Sequence, residues 1–377
     1  MVVSKIRREN DIAMRYMFLG NLFLFVLTIT ASGGENTVVS LQKPDIAAKL
    51  QELNPLPKVH YSWHIERGSR LLEPENSRIV YQLARITHAL SVCGEYVTEQ
   101  QIDGCVYNCA RVNMTKPEIS CRIGVNFSPW HRKFDKKLPP TDRGPTYYAE
   151  IAFFAERMNN IKKWVAAANK KYQSNVEVGV LLLDSERFYV KKNDPQWNEG
   201  MRDDLDAIHK KAAEIFPEAR IQWYGRGITR PDGTTWMQTG LWTGKEIKSP
   251  MSCSLYMLPE QDAMRETFRR TCALADTFGI EEVTPYVALA AGYKRDIIKK
   301  LRWEYNWDFG INYSWQLGAE LNMPRFAERP EIYAPYNRAK IVVFYPSPFY
   351  NEVPSWGKHF IAYVRGANGI KSIDDLK

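Results

Sequence analysis

Long apolar runs are scarce in this chain. Of its 377 residues, only the stretch 16–31 is almost wholly apolar, and it is short for a bilayer span of about 20 residues. A bundle of membrane-spanning helices is therefore excluded. Several catalytic signatures are also missing. No Gly-x-Gly-x-x-Gly follows a β-rich run, which argues against a dinucleotide fold. No Gly-x-x-x-x-Gly-Lys-Ser/Thr is present to cradle a phosphate, and no Gly-x-Ser-x-Gly to present a nucleophilic serine. The 6 histidines include no His-Glu-x-x-His, and His60 and His64 sit too far apart on a strand-like run to chelate closely. No metal and no cofactor are expected. The net charge of +8 is spread thinly, with no run of five like charges. That spread gives no sign of a nucleic-acid partner and mildly favours an anionic one.

What is present is ordinary globular composition, 45% hydrophobic and 25% charged. The amino-terminal segment has basic Lys5, Arg7, Arg8 and Arg15, then the apolar run, then Ala31-Ser32-Gly33-Gly34. This is the order of a secretory signal peptide. The expected organisation is a signal over 1–33 and a single domain over 34–377. Its location would be secreted, extracellular or periplasmic, with the membrane touched only through an uncleaved signal segment. Six cysteines fit an oxidising compartment. Four of them, Cys93, Cys105, Cys109 and Cys121, suggest an insertion loop at about 92–119 closed by two bridges. Cys253 and Cys272 would form a third bridge. Asn113-Met-Thr115, Asn126-Phe-Ser128 and Asn312-Tyr-Ser314 match the N-glycosylation acceptor pattern.

Short β-rich runs recur at 59–63, 122–127, 177–184, 220–224, 252–257, 283–290, 310–315 and 340–345. Residues 359–365 read as a further strand or edge. Several runs are continuously apolar, as strands buried on both faces are in parallel sheets. Amphipathic helical segments lie between many of them, at 77–91, 147–172, 201–216 and 261–278. Strand–helix alternation over more than 250 residues predicts an α/β fold. Eight strands in one domain make it a (β/α)8, TIM-like barrel with the disulfide-containing insertion. Residues 322–338 read as irregular loop, and 228–251 as an extra hairpin.

In such a barrel the active site lies at the carboxyl ends of the strands. Those ends carry Trp63, Trp130, Trp223, Tyr224, Tyr256, Tyr286 and Trp315, each beside polar residues. Aromatic faces stack on the C–H faces of sugar rings while polar neighbours take the hydroxyls, so a carbohydrate partner is expected. After three consecutive leucines comes Asp184-Ser185-Glu186. Residues i and i+2 of a strand share a face. Two carboxylates held close together split their pKa values, leaving one protonated and one ionised. General-acid cleavage of a glycosidic bond needs that split. Glu186 is the expected acid and Asp184 its partner. Glu66, Glu260 and Glu320 are the alternative second carboxylates.

A buried apolar strand ending in Asp184-x-Glu186, with aromatic strand ends around it, resembles the chitinase and hyaluronidase group of glycoside hydrolases. The resemblance implies that Glu186 protonates the leaving sugar and that Asp184 orients the substrate's own N-acetyl group as nucleophile. It also implies that Tyr256 helps hold that group and Trp315 forms the sugar floor. The family carries its motif on the fourth barrel strand, whereas the apolar runs put Asp184 on the third. The alternative expectation is a secreted carbohydrate-binding barrel without catalysis.

Overall fold

The computed structural model describes residues 45–54, 59–62, 77–128, 130–133, 146–149, 151–184, 195–224, 249–255, 261–288, 307–321, 331, 334–345 and 353–369. The signal segment, Trp63, Glu66, Glu186, Tyr256 and Glu260 lie outside these residues. So does most of the expected hairpin.

Strands and helices alternate. In chain order they are α1 (Ile46–Gln51), β1 (Val59–Ser62), α2 (Ser77–Thr87), β2 (Ala89–Cys93), α3 (Glu99–Thr115) and β3 (Arg122–Phe127). A short antiparallel hairpin follows, β4 (Trp130–Lys133) with β5 (Thr146–Ala149), and then α4 (Ile151–Tyr172). The rest is β6 (Val178–Asp184), α5 (Pro195–Ile215), β7 (Arg220–Tyr224), β8 (Met251–Ser254), α6 (Gln261–Thr277), β9 (Val283–Ala288), α7 (Trp307–Leu321), a 3-10 turn (Ala334–Arg338), β10 (Ile341–Tyr345) and α8 (Val353–Ala367). The α/β class is as expected. Eight parallel strands form two four-stranded sheets, β1-β10-β9-β8 and β2-β3-β6-β7. Strand β1 lies beside β2, and β7 beside β8, without a shared hydrogen-bond register.

Two apolar clusters explain how the sheets are used. The larger joins the helices to one face of the strands, through Val92, Val125, Leu181, Leu183, Trp223, Cys253 and Phe344 among others. The smaller is Ala89, Val180, Leu182, Tyr286, Ile341 and Val343. It draws on both sheets and uses only the alternate strand positions. The period of two thus separates a helix-facing side from an inner side that the two sheets share. Because both sides are buried, the strands read as unbroken apolar runs.

Three expectations need correction. Residues 92–119 are not an insertion. They supply the end of β2 and all of α3, a regular strand–helix unit. The helix expected over 77–91 stops at Thr87 because His88 takes a left-handed φ of 61°, turning the chain straight into β2. Helix α3 starts with a capping box, in which Thr98 accepts from the Gln101 amide at 3.3 Å and Gln101 accepts from the Thr98 amide at 3.0 Å. Adding β2 makes β6 the fourth parallel strand.

The second correction concerns 310–315 and 359–365, which lie inside α7 and α8 and are not strands. Buried Ile311, Ser314, Leu317 and Leu321 recur at helical spacing. Helix α8 is buried or half-buried at every position over 357–367, and a short, continuously buried run does not distinguish helix from strand. The two helices meet backbone to backbone. A Cβ on Gly318 would strike the Tyr363 carbonyl, and one on Gly366 would strike the Trp315 carbonyl. Residues 334–338 of the expected loop form the 3-10 turn.

Third, all six cysteines are buried free thiols, so none of the three expected bridges is present. The glycosylation patterns also fall in ordered elements. Asn113 lies on α3 with its side chain bonded to Cys121, Asn126 is buried in β3, and Asn312 lies in α7.

Candidate functional site

The carboxyl ends of the strands hold the candidate site. On β6 the inner positions run Val180, Leu182, 184, so Asp184 occupies the last inner position of the strand. Its register partner on β7 is Tyr224, while Leu182 pairs with Asn126 on β3 and Gln222 on β7. The floor below is apolar, made by Leu182, Val343 and the fully buried Tyr286. Around it the inner positions are polar and buried: Asn126, Gln222, Ser252 and Ser254. Ser91 Oγ fills the space beside Gly124, where a Cβ would collide with it.

The loops above this ring are tied down by charge. After β2, Glu95 accepts a hydrogen bond from the Ser128 amide, so the β2 and β3 ends are joined. Its other oxygen accepts from the Cys93 thiol at 3.0 Å. Burial first, and then the Glu95 carboxylate, push the Cys93 thiol well above its ordinary range. Arg157 of α4 donates to the Gly94 carbonyl at 2.9 and 3.0 Å and to the Val97 carbonyl at 2.7 Å, while its guanidinium lies 5.5 Å from the Trp164 ring centre. Neither Glu95 nor Arg157 was singled out from the sequence. Reading Thr98-Glu-Gln-Gln101 as a helix start would have placed Glu95 in the loop after a strand. At the opposite, amino-terminal end, Arg220 and Glu282 form an ion pair between the starts of β7 and β9. Charge at that end ties the starts of two strands together and does not line the candidate site.

The expected aromatics divide. Tyr224 and Tyr286 stand at inner positions of their strands. Trp223 has helix-facing parity, is fully buried, and donates its Nε1–H to His209 Nδ1 on α5 at 3.2 Å. It packs sheet to helix and offers no face to a ligand. Trp130 begins the β4 hairpin, in register with Ala149, and is not the end of β3. Trp315 is on α7, packed against the core, and so is not at a strand end. Asp184 and Tyr224 are thus brought together by register, and Trp223 and Trp315 leave the set of sugar platforms.

Glu320 is likewise removed as a second carboxylate. It is 1% exposed and accepts a bidentate pair from Arg265, at 2.6 Å from Nη2 and 2.9 Å from Nε. That pair joins α6 to α7 in the helix layer. No group of three or more histidine, cysteine, aspartate or glutamate residues able to hold a metal occurs among the described residues.

No protein-family model matches the chain, and no characterised protein matches it by sequence. Among solved structures, the chain is similar in fold to a glucosidase from Croceicoccus marinus, at 9% identity and a TM-score of 0.48, covering 82% of this chain and 68% of that one. An intracellular xylanase from Thermoanaerobacterium saccharolyticum aligns at 11% identity and a TM-score of 0.40, over 80% of this chain and 89% of its own. Bee venom hyaluronidase, solved with a hyaluronic acid tetramer, aligns at 9% identity and a TM-score of 0.26, over 68% of this chain and 70% of its own.

Proposed function

We propose that the eight strands close into a (β/α)8 barrel and that the chain is a secreted glycoside hydrolase, with Glu186 as general acid and Asp184 as its partner carboxylate. The observation that carries this reading is the position of Asp184. It stands at the carboxyl end of the fourth parallel strand, on the inner alternation that begins with Val180 and Leu182. The chitinase and hyaluronidase group carries its Asp-x-Glu on that same strand. An apolar floor with a polar ring of Asn126, Gln222 and Ser254 suits a ligand that has C–H faces and many hydroxyls.

On this reading Glu186, two residues after Asp184 in the sequence, protonates the glycosidic oxygen as the bond breaks. Asp184 carries the negative charge that keeps Glu186 protonated. In the substrate-assisted form, Asp184 orients an N-acetyl group that attacks the anomeric carbon. The substrate is a poly- or oligosaccharide, with acidic glycans favoured by the net charge of +8.

The test is release of new reducing ends from neutral, N-acetylated and acidic glycans, with Glu186→Gln run in parallel. Loss of one general acid costs about 10²–10⁴-fold in turnover. Binding without cleavage by the wild-type chain would instead make it the catalytically inactive sugar binder.

A further inference from the structure

Two of the free thiols are placed as a pair. Cys121 Sγ lies 3.4 Å from Cys109 Sγ, and both residues are at most 1% exposed. Their approach is built by Asn113. Cys109 and Asn113 stand four residues apart, on one face of α3. The Asn113 side chain grips the backbone of Cys121 on both sides. Its Oδ1 accepts from the Cys121 amide at 2.7 Å, and its Nδ2 donates to the Cys121 carbonyl at 3.1 Å. The residue before β3 is thereby held against the helix turn that carries Cys109. Each of the two also reaches a backbone carbonyl, Cys109 that of Arg122 at 3.4 Å and Cys121 that of Ala84 at 3.5 Å. Three other cysteines are engaged elsewhere. Cys93 donates to Glu95, Cys253 accepts from the Thr271 hydroxyl, and Cys272 points to the Pro335 carbonyl. Cys105, one turn before Cys109 on the same helix, is the competing partner.

We propose that Cys109 and Cys121 form a disulfide when the chain folds in a thiol-oxidising compartment, tying α3 to the start of β3. The oxidant is a small or protein disulfide of the glutathione class. One cysteine thiolate attacks it and releases one thiol. The second cysteine then displaces the other half of the mixed disulfide. Two protein S–H bonds and the oxidant's S–S bond are lost, one protein S–S bond forms, and two oxidant thiols carry away the protons and electrons. Both thiols are shut off from solvent in the folded chain, and burial also raises the Cys109 thiol above its ordinary range. Exchange therefore belongs to the partly folded chain, before α3 closes over β3.

The test folds the full chain from denaturant in a mixture of oxidised and reduced glutathione, alkylates remaining thiols under denaturing conditions, and maps peptides without reduction. Trypsin after Arg111 and Arg122, with chymotrypsin after Tyr107, separates Cys109 from both Cys105 and Cys121. The expected product is the Asn108–Arg111 fragment linked to the fragment ending at Arg122, split by reductant, with Cys93, Cys105, Cys253 and Cys272 alkylated. Cys109→Ser and Cys121→Ser should each remove that product. They should also lower the thermal midpoint by the same amount as adding reductant to the wild type. Alkylation of both Cys109 and Cys121 in folded, oxidised wild-type chain overturns the proposal, as does linkage of either to another cysteine.

Discussion

Glu320 looks in the sequence like a spare catalytic carboxylate, and its surroundings give it a different role. It is 1% exposed and is satisfied by two hydrogen bonds from Arg265. Removing one partner of a buried pair leaves the other uncompensated, at a cost of about 3–5 kcal/mol for full burial. Arg265 retains some solvent and a bond to Asp262 at 3.1 Å, so Glu320→Gln should cost less, about 2 kcal/mol. Denaturant unfolding measures that loss. Any glycosidase activity per folded molecule should be unchanged, and a large fall in turnover would restore Glu320 to the site. Glu266 is the exposed counterpart. Its bonds to Arg269 and Arg270 hold its carboxyl down to about 2, against an ordinary 4.5. A depressed folded-state pKa stabilises above the ordinary value, and the contribution is lost as pH falls toward about 2. Because the pair is exposed, the effect should be small and screened by salt. Glu266→Gln should therefore lower neutral stability slightly and leave stability near pH 2 unchanged, which flattens the acid limb of the stability–pH curve.

At the scale of the element, what could be read in the sequence depended on periodicity. Strands β3, β6, β7 and β10 stand almost as expected, because β-branched and leucine runs between polar breaks have the length of strands. Strand β2 was hidden because Ala89–Cys93 continues the apolar pattern of α2, and only the left-handed His88 separates them. Helices α7 and α8 were hidden for the opposite reason. Each is so thoroughly buried that its polar face, the usual sign of a helix, is nearly absent. Their contact predicts that Gly318→Val and Gly366→Val each force the helices apart, with a loss of about 3 kcal/mol or more in urea unfolding. A substitution tolerated within 0.5 kcal/mol would contradict the backbone-to-backbone packing. Loss of the Thr98 cap of α3, by Thr98→Ala, should cost about 1 kcal/mol by the same measurement.

Across the whole molecule, alternation fixes which residues face the centre of the strand array and which face the helices. That distinction separates Trp223, buried against His209, from Tyr224 beside it at an inner position. Sequence spacing alone gave both the same role, because neighbouring residues at a strand end look alike until the parity of the strand is known. Asp184 was legible because the three leucines before it mark the strand and its end. The missing strand β2 displaced the count by one, and once it is restored Asp184 belongs to the fourth parallel strand. The most direct measurement of the role proposed for Glu186 is reducing-end release from a panel of glycans by wild type and Glu186→Gln, each checked for folding by thermal unfolding. Cleavage by the wild type is expected, with a loss of about 10²-fold or more in the variant and its thermal midpoint kept. Equal cleavage by the two proteins would contradict that role.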